Sequence, residues 1–261
     1  MEILDNKIKL KVTNLHKEYE GKVVLNDINF DVYEGEFLSI LGPSGCGKTT
    51  LVRILMGLEH ANSGAILNEG IDISKQHPSE RNMGIVFQNY ALFPNMTVLE
   101  NVEYALKLNK ETKEKSKEIA LKTLEMIGML DQIDKKPRKL SGGQQQRVAI
   151  ARTLALNPSI LLLDEPISAL DVSNREIMKK ELKQIQKTFN VTMIFITHEQ
   201  EEAFFLSDRV MVMSEGKIEQ LDSPQAIYNN PANPYIKRFV VDHLDAKLES
   251  LKRTTGKSTY E

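Results

Sequence analysis

Residues 38–50 read Leu38-Ser39-Ile40-Leu41-Gly42-Pro43-Ser44-Gly45-Cys46-Gly47-Lys48-Thr49-Thr50: an apolar strand end, a glycine-rich loop, then a helix start. Gly42 to Thr49 fits the pattern glycine, four residues, Gly-Lys-Ser/Thr. A helical run, Thr50 to Leu58, follows it. Glycines let the backbone wrap an oligophosphate with its N–H groups turned inward, and the helix N-terminus adds a positive dipole end. Gly42, Pro43, Ser44, Gly45, Cys46 and Gly47 are therefore the candidate cradle, with Thr50 in the first helical turn. Lys48 should reach the β- and γ-phosphates, and the Thr49 hydroxyl should ligate Mg2+. Cys46 is read as a small filler.

A second stretch, Ile160-Leu161-Leu162-Leu163-Asp164-Glu165-Pro166, is an apolar strand ending in two acids. Adjacent carboxylates at the end of a buried strand are unfavourable without a cation or bound water. Asp164 is placed to hold Mg2+, directly or through water, and Glu165 to polarise an attacking water. A third, Leu140-Ser141-Gly142-Gly143-Gln144-Gln145-Gln146-Arg147, opens a helix that Asn157-Pro158 stops. Ser141 with Gln144 forms a capping box. Gly142 and Gly143 each cost a helix about 1 kcal/mol relative to alanine. That cost is explained if their exposed N–H groups receive an anion.

Around these motifs, Ile8 to Leu15, Glu36 to Leu41, Gly84 to Phe87, Ser159 to Leu163, Val191 to Thr197 and Arg209 to Ser214 read as strands. Several are apolar on both faces, as in a parallel sheet covered by helices, so the class is α/β. From about Asn89 to Leu156 helical spacing takes over, in Thr97 to Leu108 and Ile119 to Leu130. The charged stretch between them, Lys110 to Glu118, reads as a solvated helix face. The expected division is an α/β core over residues 1–88 and 157–220 with a helical subdomain at 89–156. A C-terminal helical extension at 221–261 should carry Phe239, Val240, Leu244, Leu248 and Leu251 on one face and end in disorder from Thr254.

The chain has 261 residues, with 34 basic against 36 acidic side chains. That balance gives no footprint for nucleic acid or anionic lipid. One cysteine, Cys46, allows no intrachain disulfide and fits a reducing compartment. Met1 to Asp5 lacks the layout of a signal peptide. No apolar run approaches the roughly 20 residues that span a bilayer.

Leu140 to Gln144 resembles the LSGGQ signature of ATP-binding-cassette ATPases, lying as it does between a phosphate loop and an acidic strand end. Further stations of that family match in order. Tyr19 resembles the aromatic that stacks on adenine, and Gln88 the glutamine that senses Mg2+ and the transmembrane partner. Ser168-Ala169-Leu170-Asp171 resembles the D-loop, with Asp171 its acid, and His198 the switch histidine that contacts the γ-phosphate. The resemblance covers residues 8 to 220. It implies a P-loop NTPase (RecA-like) core with an inserted helical subdomain and an N-terminal antiparallel β region. It also implies ATP hydrolysis with Mg2+ in a head-to-tail homodimer, where Ser141, Gly142, Gly143 and Gln144 of one chain close on ATP held by the other. Glu165, His198 and Gln88 are then the catalytic candidates, and Thr49, Gln88 and Asp164 the metal candidates.

Gln88 to Val98 resembles bacterial small-solute importers, where this segment receives the membrane subunit. The implied partners are permease subunits and, indirectly, a solute-binding protein, with no nucleic acid. The implied location is peripheral, on the cytoplasmic face of the membrane. The alternatives are an exporter's ATPase or a soluble non-transport cassette. About 40 residues follow Leu221, so a regulatory β-domain is expected to be absent. That length favours the shorter sulfonate, nitrate, phosphonate or amino-acid-like branches over the sugar and polyamine types.

Overall fold

The computed structural model describes residues 7–168 and 170–255; Met1 to Asn6, Ala169 and the last six residues lie outside it. In chain order the elements are β1 (Ile8–Tyr19), β2 (Lys22–Tyr33), β3 (Phe37–Leu41), α1 (Lys48–Leu55), β4 (Ser63–Asn68), β5 (Ile71–Asp72) and β6 (Met83–Val86). Next come α2 (Val98–Leu108), α3 (Ser116–Met126), α4 (Gly142–Leu154), β7 (Ile160–Asp164), α5 (Val172–Phe189), β8 (Thr192–Thr197) and α6 (Gln200–Leu206). The chain closes with β9 (Arg209–Ser214), β10 (Lys217–Asp222), α7 (Pro224–Asn229), a single turn α8 (Pro234–Ile236), a π-helical turn at Lys237–Val241 and α9 (Asp242–Thr255).

Two sheets result. The larger runs β10-β9-β3-β8-β7-β6, parallel from β9 to β6, with β10 antiparallel on its edge. The smaller is antiparallel, in the order β2-β1-β4-β5. Period-two alternation in the parallel strands feeds two cores at once. Leu161, Leu163, Met193 and Phe195 join α2, α3, α4 and α5 on one face. Ile160, Leu162, Ile194, Ile196, Leu38 and Ile40 join α1 and the antiparallel sheet on the other. That is why these strands are apolar on consecutive residues. A third cluster joins Leu41, Val210 and Val212 to Ile227, Ile236 and Val240.

The six expected strands are present, and the differences from expectation have local causes. The first strand, β1, runs four residues past Leu15 to Tyr19, and β2 lies beside it. Asn14 and Asp27 take left-handed backbone (φ 49° and 54°) and shift the register, so the alternation breaks where a continuous strand would keep it. In the helical region, α3 ends at Met126 rather than Leu130, because Gly128 turns the chain at φ 66°. The charged stretch holds a 3-10 turn at Lys113–Lys115 before α3 and is not one helix face. At the other end of the chain, Thr254 and Thr255 belong to α9, while Leu248 is exposed instead of packed. No helix among the described residues is long and apolar enough to cross a membrane.

Candidate functional site

The strand β3 delivers the chain to Gly42, and α1 starts at Lys48 with Gly47 as its cap. Gly47 has φ 108°, and a Cβ there would sit 2.8 Å from Leu25 Cδ2 and 2.9 Å from Val24 O. Only glycine fits both the backbone and the space. At Gly42 a Cβ would meet Met213 O at 2.4 Å and Cys46 Sγ at 2.7 Å. Cys46 is thus a buried filler against the loop's own backbone, with its thiol pushed up mainly by burial. Lys48 is 6% exposed, and its Nζ donates to Gly42 O (2.6 Å) and Pro43 O (2.9 Å). The ammonium therefore lies on the inner side of the loop.

A cavity of about 210 Å³ opens there, lined by Val24, Ser44, Gly45, Gly47, Lys48, Thr49, Thr50 and Glu165. It lies at the carboxyl ends of the parallel strands, where open α/β sheets bind ligands. A second polar cavity of about 240 Å³ lies at the opposite strand ends, beside Ser159 and Thr192, away from every candidate residue.

Asp164 ends β7 half-buried. Burial, then the neighbouring Glu165, push its carboxyl above the ordinary range, and Lys48 and Arg53 pull it back only in part. A divalent cation would offset this cost, so the position fits a metal ligand. No group of three or more His, Cys, Asp or Glu suited to a metal exists among the described residues. A cation here would depend on few protein ligands and on phosphate oxygens, the usual habit of Mg2+. Glu165 adopts left-handed backbone (φ 46°), strain of about 1–3 kcal/mol for such a residue. Its N–H donates to Ile196 O (3.1 Å) and its Oε1 lies 3.2 Å from His198 Nδ1. Gln88 Nε2 donates to Ser168 Oγ (2.9 Å), whose hydroxyl donates to Glu165 O (2.9 Å). Glu165, His198 and Gln88 are in this way brought together beyond the carboxyl ends of the neighbouring strands β7, β8 and β6.

Other candidates lie apart from the cavity lining. Tyr19 ends β1, 40% exposed, with Lys17 Nζ 4.5 Å above its ring. It shares the β1–β2 hairpin end with Val24, which does line the cavity. Asp171 caps α5, accepting from Asn174 N (3.0 Å) and Asn174 Nδ2 (2.6 Å), bonds that hold its carboxyl low. Ser141 caps α4 as expected: its Oγ accepts from Gln144 N (3.3 Å), and its N–H donates to Gln144 Oε1 (3.0 Å). Ser141 and Gly142 are exposed, and Gly143 and Gln144 are half-buried.

Val24 escaped sequence reading because its strand did. So did the two residues that build the turn after Gln88. Asn101, fully buried, donates to Phe93 O, Met96 O and Thr97 O and accepts from Phe93 N. Arg152 donates to Ala91 O (2.7 Å) and Tyr90 O (3.1 Å) and covers the Phe93 ring. A polar residue on the apolar face of a helical pattern was the available signal for Asn101.

The family model described as ABC transporter matches residues 25–168. The chain belongs to the ABC transporter family. Within that family it is 48% identical over 231 residues to the spermidine/putrescine import ATP-binding protein PotA of Marinobacter nauticus, covering 88% of this chain and 62% of the relative. The PotA protein of Haemophilus influenzae strain Rd is 46% identical over 237 residues, covering 91% and 64%. The chain thus spans less than two thirds of the length of these ABC transporter relatives. Both carry the polyamine name that the length argument set aside in favour of a shorter sulfonate, nitrate, phosphonate or amino-acid-like branch. Among solved ABC structures, cbiO1 of Clostridium perfringens, part of the transporter complex cbiONQ, superposes with TM-score 0.81 at 30% identity over 93% of this chain and 99% of that one. A dimeric post-hydrolysis cassette, MJ0796 bound to ADP and Pi, gives TM-score 0.70 at 35% identity over 82% and 98%.

Proposed function

We propose that this chain is the ATP-hydrolysing subunit of a membrane importer for a small solute. The observation that carries the reading is one cavity lined by both the glycine loop and Glu165. A triphosphate on the loop amides and Lys48 would place its terminal phosphate towards Glu165. Glu165, with His198 Nδ1 beside its carboxylate, orients and deprotonates the attacking water as a general base. His198 also faces the terminal phosphate. Thr49, Gln88 and Asp164 would hold Mg2+, which when bound neutralises charge on the phosphate oxygens.

Catalysis needs a second copy of the chain. Ser141, Gly142, Gly143 and Gln144 of one chain close over the phosphates held by the other, with Asp171 near the contact. The turn built by Asn101 and Arg152, flanked by the exposed Phe87 before it and by Tyr104 of α2 against Phe93, is the permease-facing surface. A peripheral position at the membrane follows from that docking. The division into residues 1–88 and 157–220, 89–156 and 221–261 is the working domain map. The relatives' names favour a polyamine as the cargo.

The test is Mg-ATP turnover by the purified chain and by Glu165→Gln. The variant should retain ATP binding and lose turnover by about 10²–10⁴-fold. Normal turnover in the variant removes Glu165 from its role.

A further inference from the structure

Two charged side chains next to the site, Glu202 buried and Arg175 half-buried, have no part in the mechanism above. Arg175 lies one turn into α5, after the D-loop, and Glu202 one turn into α6, after His198. Glu202 is 5% exposed. Its Oε2 accepts from Thr197 Oγ1 (2.7 Å), and the same hydroxyl accepts from Glu199 N (3.0 Å), so Glu202 grips the chain on both sides of His198. Arg175 Nη2 donates to Ser168 O and Leu170 O, each at 3.3 Å, and so grips the D-loop. Ser168 in turn joins Gln88 to the Glu165 carbonyl.

These contacts form a ring with one loose joint. From Glu165 it runs through Ser168, Arg175, Glu202 and Thr197 to His198, whose Nδ1 returns to Glu165 at 3.2 Å. The loose joint is Arg175 Nε to Glu202 Oε1, at 3.8 Å. Both atoms are buried and neither has a hydrogen-bond partner. A buried, unpaired, charged donor and acceptor are costly. They face each other just beyond the hydrogen-bond range of about 2.7–3.2 Å. A shift below about 1 Å would close the ring and satisfy both atoms.

We propose that Arg175 and Glu202 are a positioning pair that ties the segment carrying His198 to the D-loop, fixing His198, Glu165 and Gln88 relative to one another for hydrolysis. Neither residue touches the phosphates. The pair acts through the placement of those that do, and the proposal rests on the hydrolytic reading above. A pair of this kind acts on turnover far more than on nucleotide affinity, because the loop and Lys48, which hold most of the triphosphate, lie outside the ring.

The experiment is steady-state ATP hydrolysis by the full chain in four forms: wild type, Glu202→Gln, Arg175→Lys and the double variant. Glu202→Gln keeps the acceptor for Thr197 but removes the charge facing Arg175. Arg175→Lys keeps the charge but loses the planar fork that reaches both carbonyls and Glu202. Each single variant should lower kcat about tenfold, a modest fraction of what a 1 Å misplacement can cost. KM for ATP should stay within about twofold, the mark of an interaction used only in the transition state. The double variant should be no slower than the slower single, as for residues acting as one unit.

Unchanged kcat in both single variants overturns the proposal. So does a rise in KM at constant kcat, an additive double variant, or a loss of kcat that merely follows a loss of ATP-induced thermal stabilisation. A wild-type chain without turnover would bring down the hydrolytic reading and this inference with it. An active wild type with unaffected variants brings down the inference alone.

Discussion

The glycine loop and the start of α4 are both glycine-bearing helix beginnings, yet only one is complete within the chain. In the loop, Gly42 and Gly47 are forced by close approach of Met213, Cys46, Val24 and Leu25. Lys48 is buried and bonded to the loop's own carbonyls. At α4, Gly142 is pressed only by Leu170 Cδ2 at 3.1 Å, and a Cβ on Gly143 would make an ordinary contact with Met178 at 3.6 Å. Ser141 and Gln144 cap each other and leave their outer side open. The first region is shaped by its own chain. The second spends two poor helix formers with little inside the chain to require them, which is the mark of a surface completed by something else.

The largest effect on this comparison should come from Lys48→Ala. It removes a charged donor from the complete region. A hydrogen bond to a charged group is worth about 1.5–3 kcal/mol, so ATP affinity should fall roughly 10- to 100-fold in a fluorescent-nucleotide titration. Unchanged affinity would contradict the cradle.

The two glycine regions can then be set directly against each other. Gly47→Ala forces a left-handed alanine into Leu25 and Val24 and should lower the melting temperature by roughly 5 °C or more. Gly143→Ala should leave the isolated chain as stable or slightly more stable, since alanine is better in a helix by up to about 1 kcal/mol. Equal losses in the two variants would erase the distinction.

The smallest effect concerns Asp164. Burial and Glu165 raise its carboxyl, so the folded state holds that proton more tightly than the unfolded chain. Its contribution to stability is present at low pH and is lost as pH rises from the ordinary carboxylate value through the raised one. Asp164→Asn should therefore raise the melting temperature of the nucleotide-free chain at neutral pH. The same variant should lose most of the Mg2+ dependence of ATP binding. A lowered melting temperature without nucleotide would show that the carboxylate is stabilising as it stands.

Legibility in the sequence follows the same contrast between what is local and what is not. Gly42 to Thr49, Leu161 to Glu165 and Ser141 to Gln144 each hold their chemistry in a run of consecutive residues, so the amino-acid order alone places them on their elements. The parallel strands are readable because both of their faces are buried. The β1–β2 hairpin could not be followed through, because bulges at Asn14 and Asp27 break its alternation. The edge strand β10 was missed because its residues are half-exposed and polar. The contacts that assemble the site, Gln88 to Ser168 and Glu165 to His198, join residues far apart in sequence and carry no local signature.

The central claim is that the exposed start of α4 is completed by a second copy across ATP. The most direct measurement is the solution mass of Glu165→Gln, with and without Mg-ATP, alongside the Glu165→Gln/Ser141→Arg double variant. Mass should double with Mg-ATP in the first, while the double variant binds ATP and stays monomeric. A monomer with ATP bound in the first variant, or a dimer that survives Ser141→Arg, would contradict the claim.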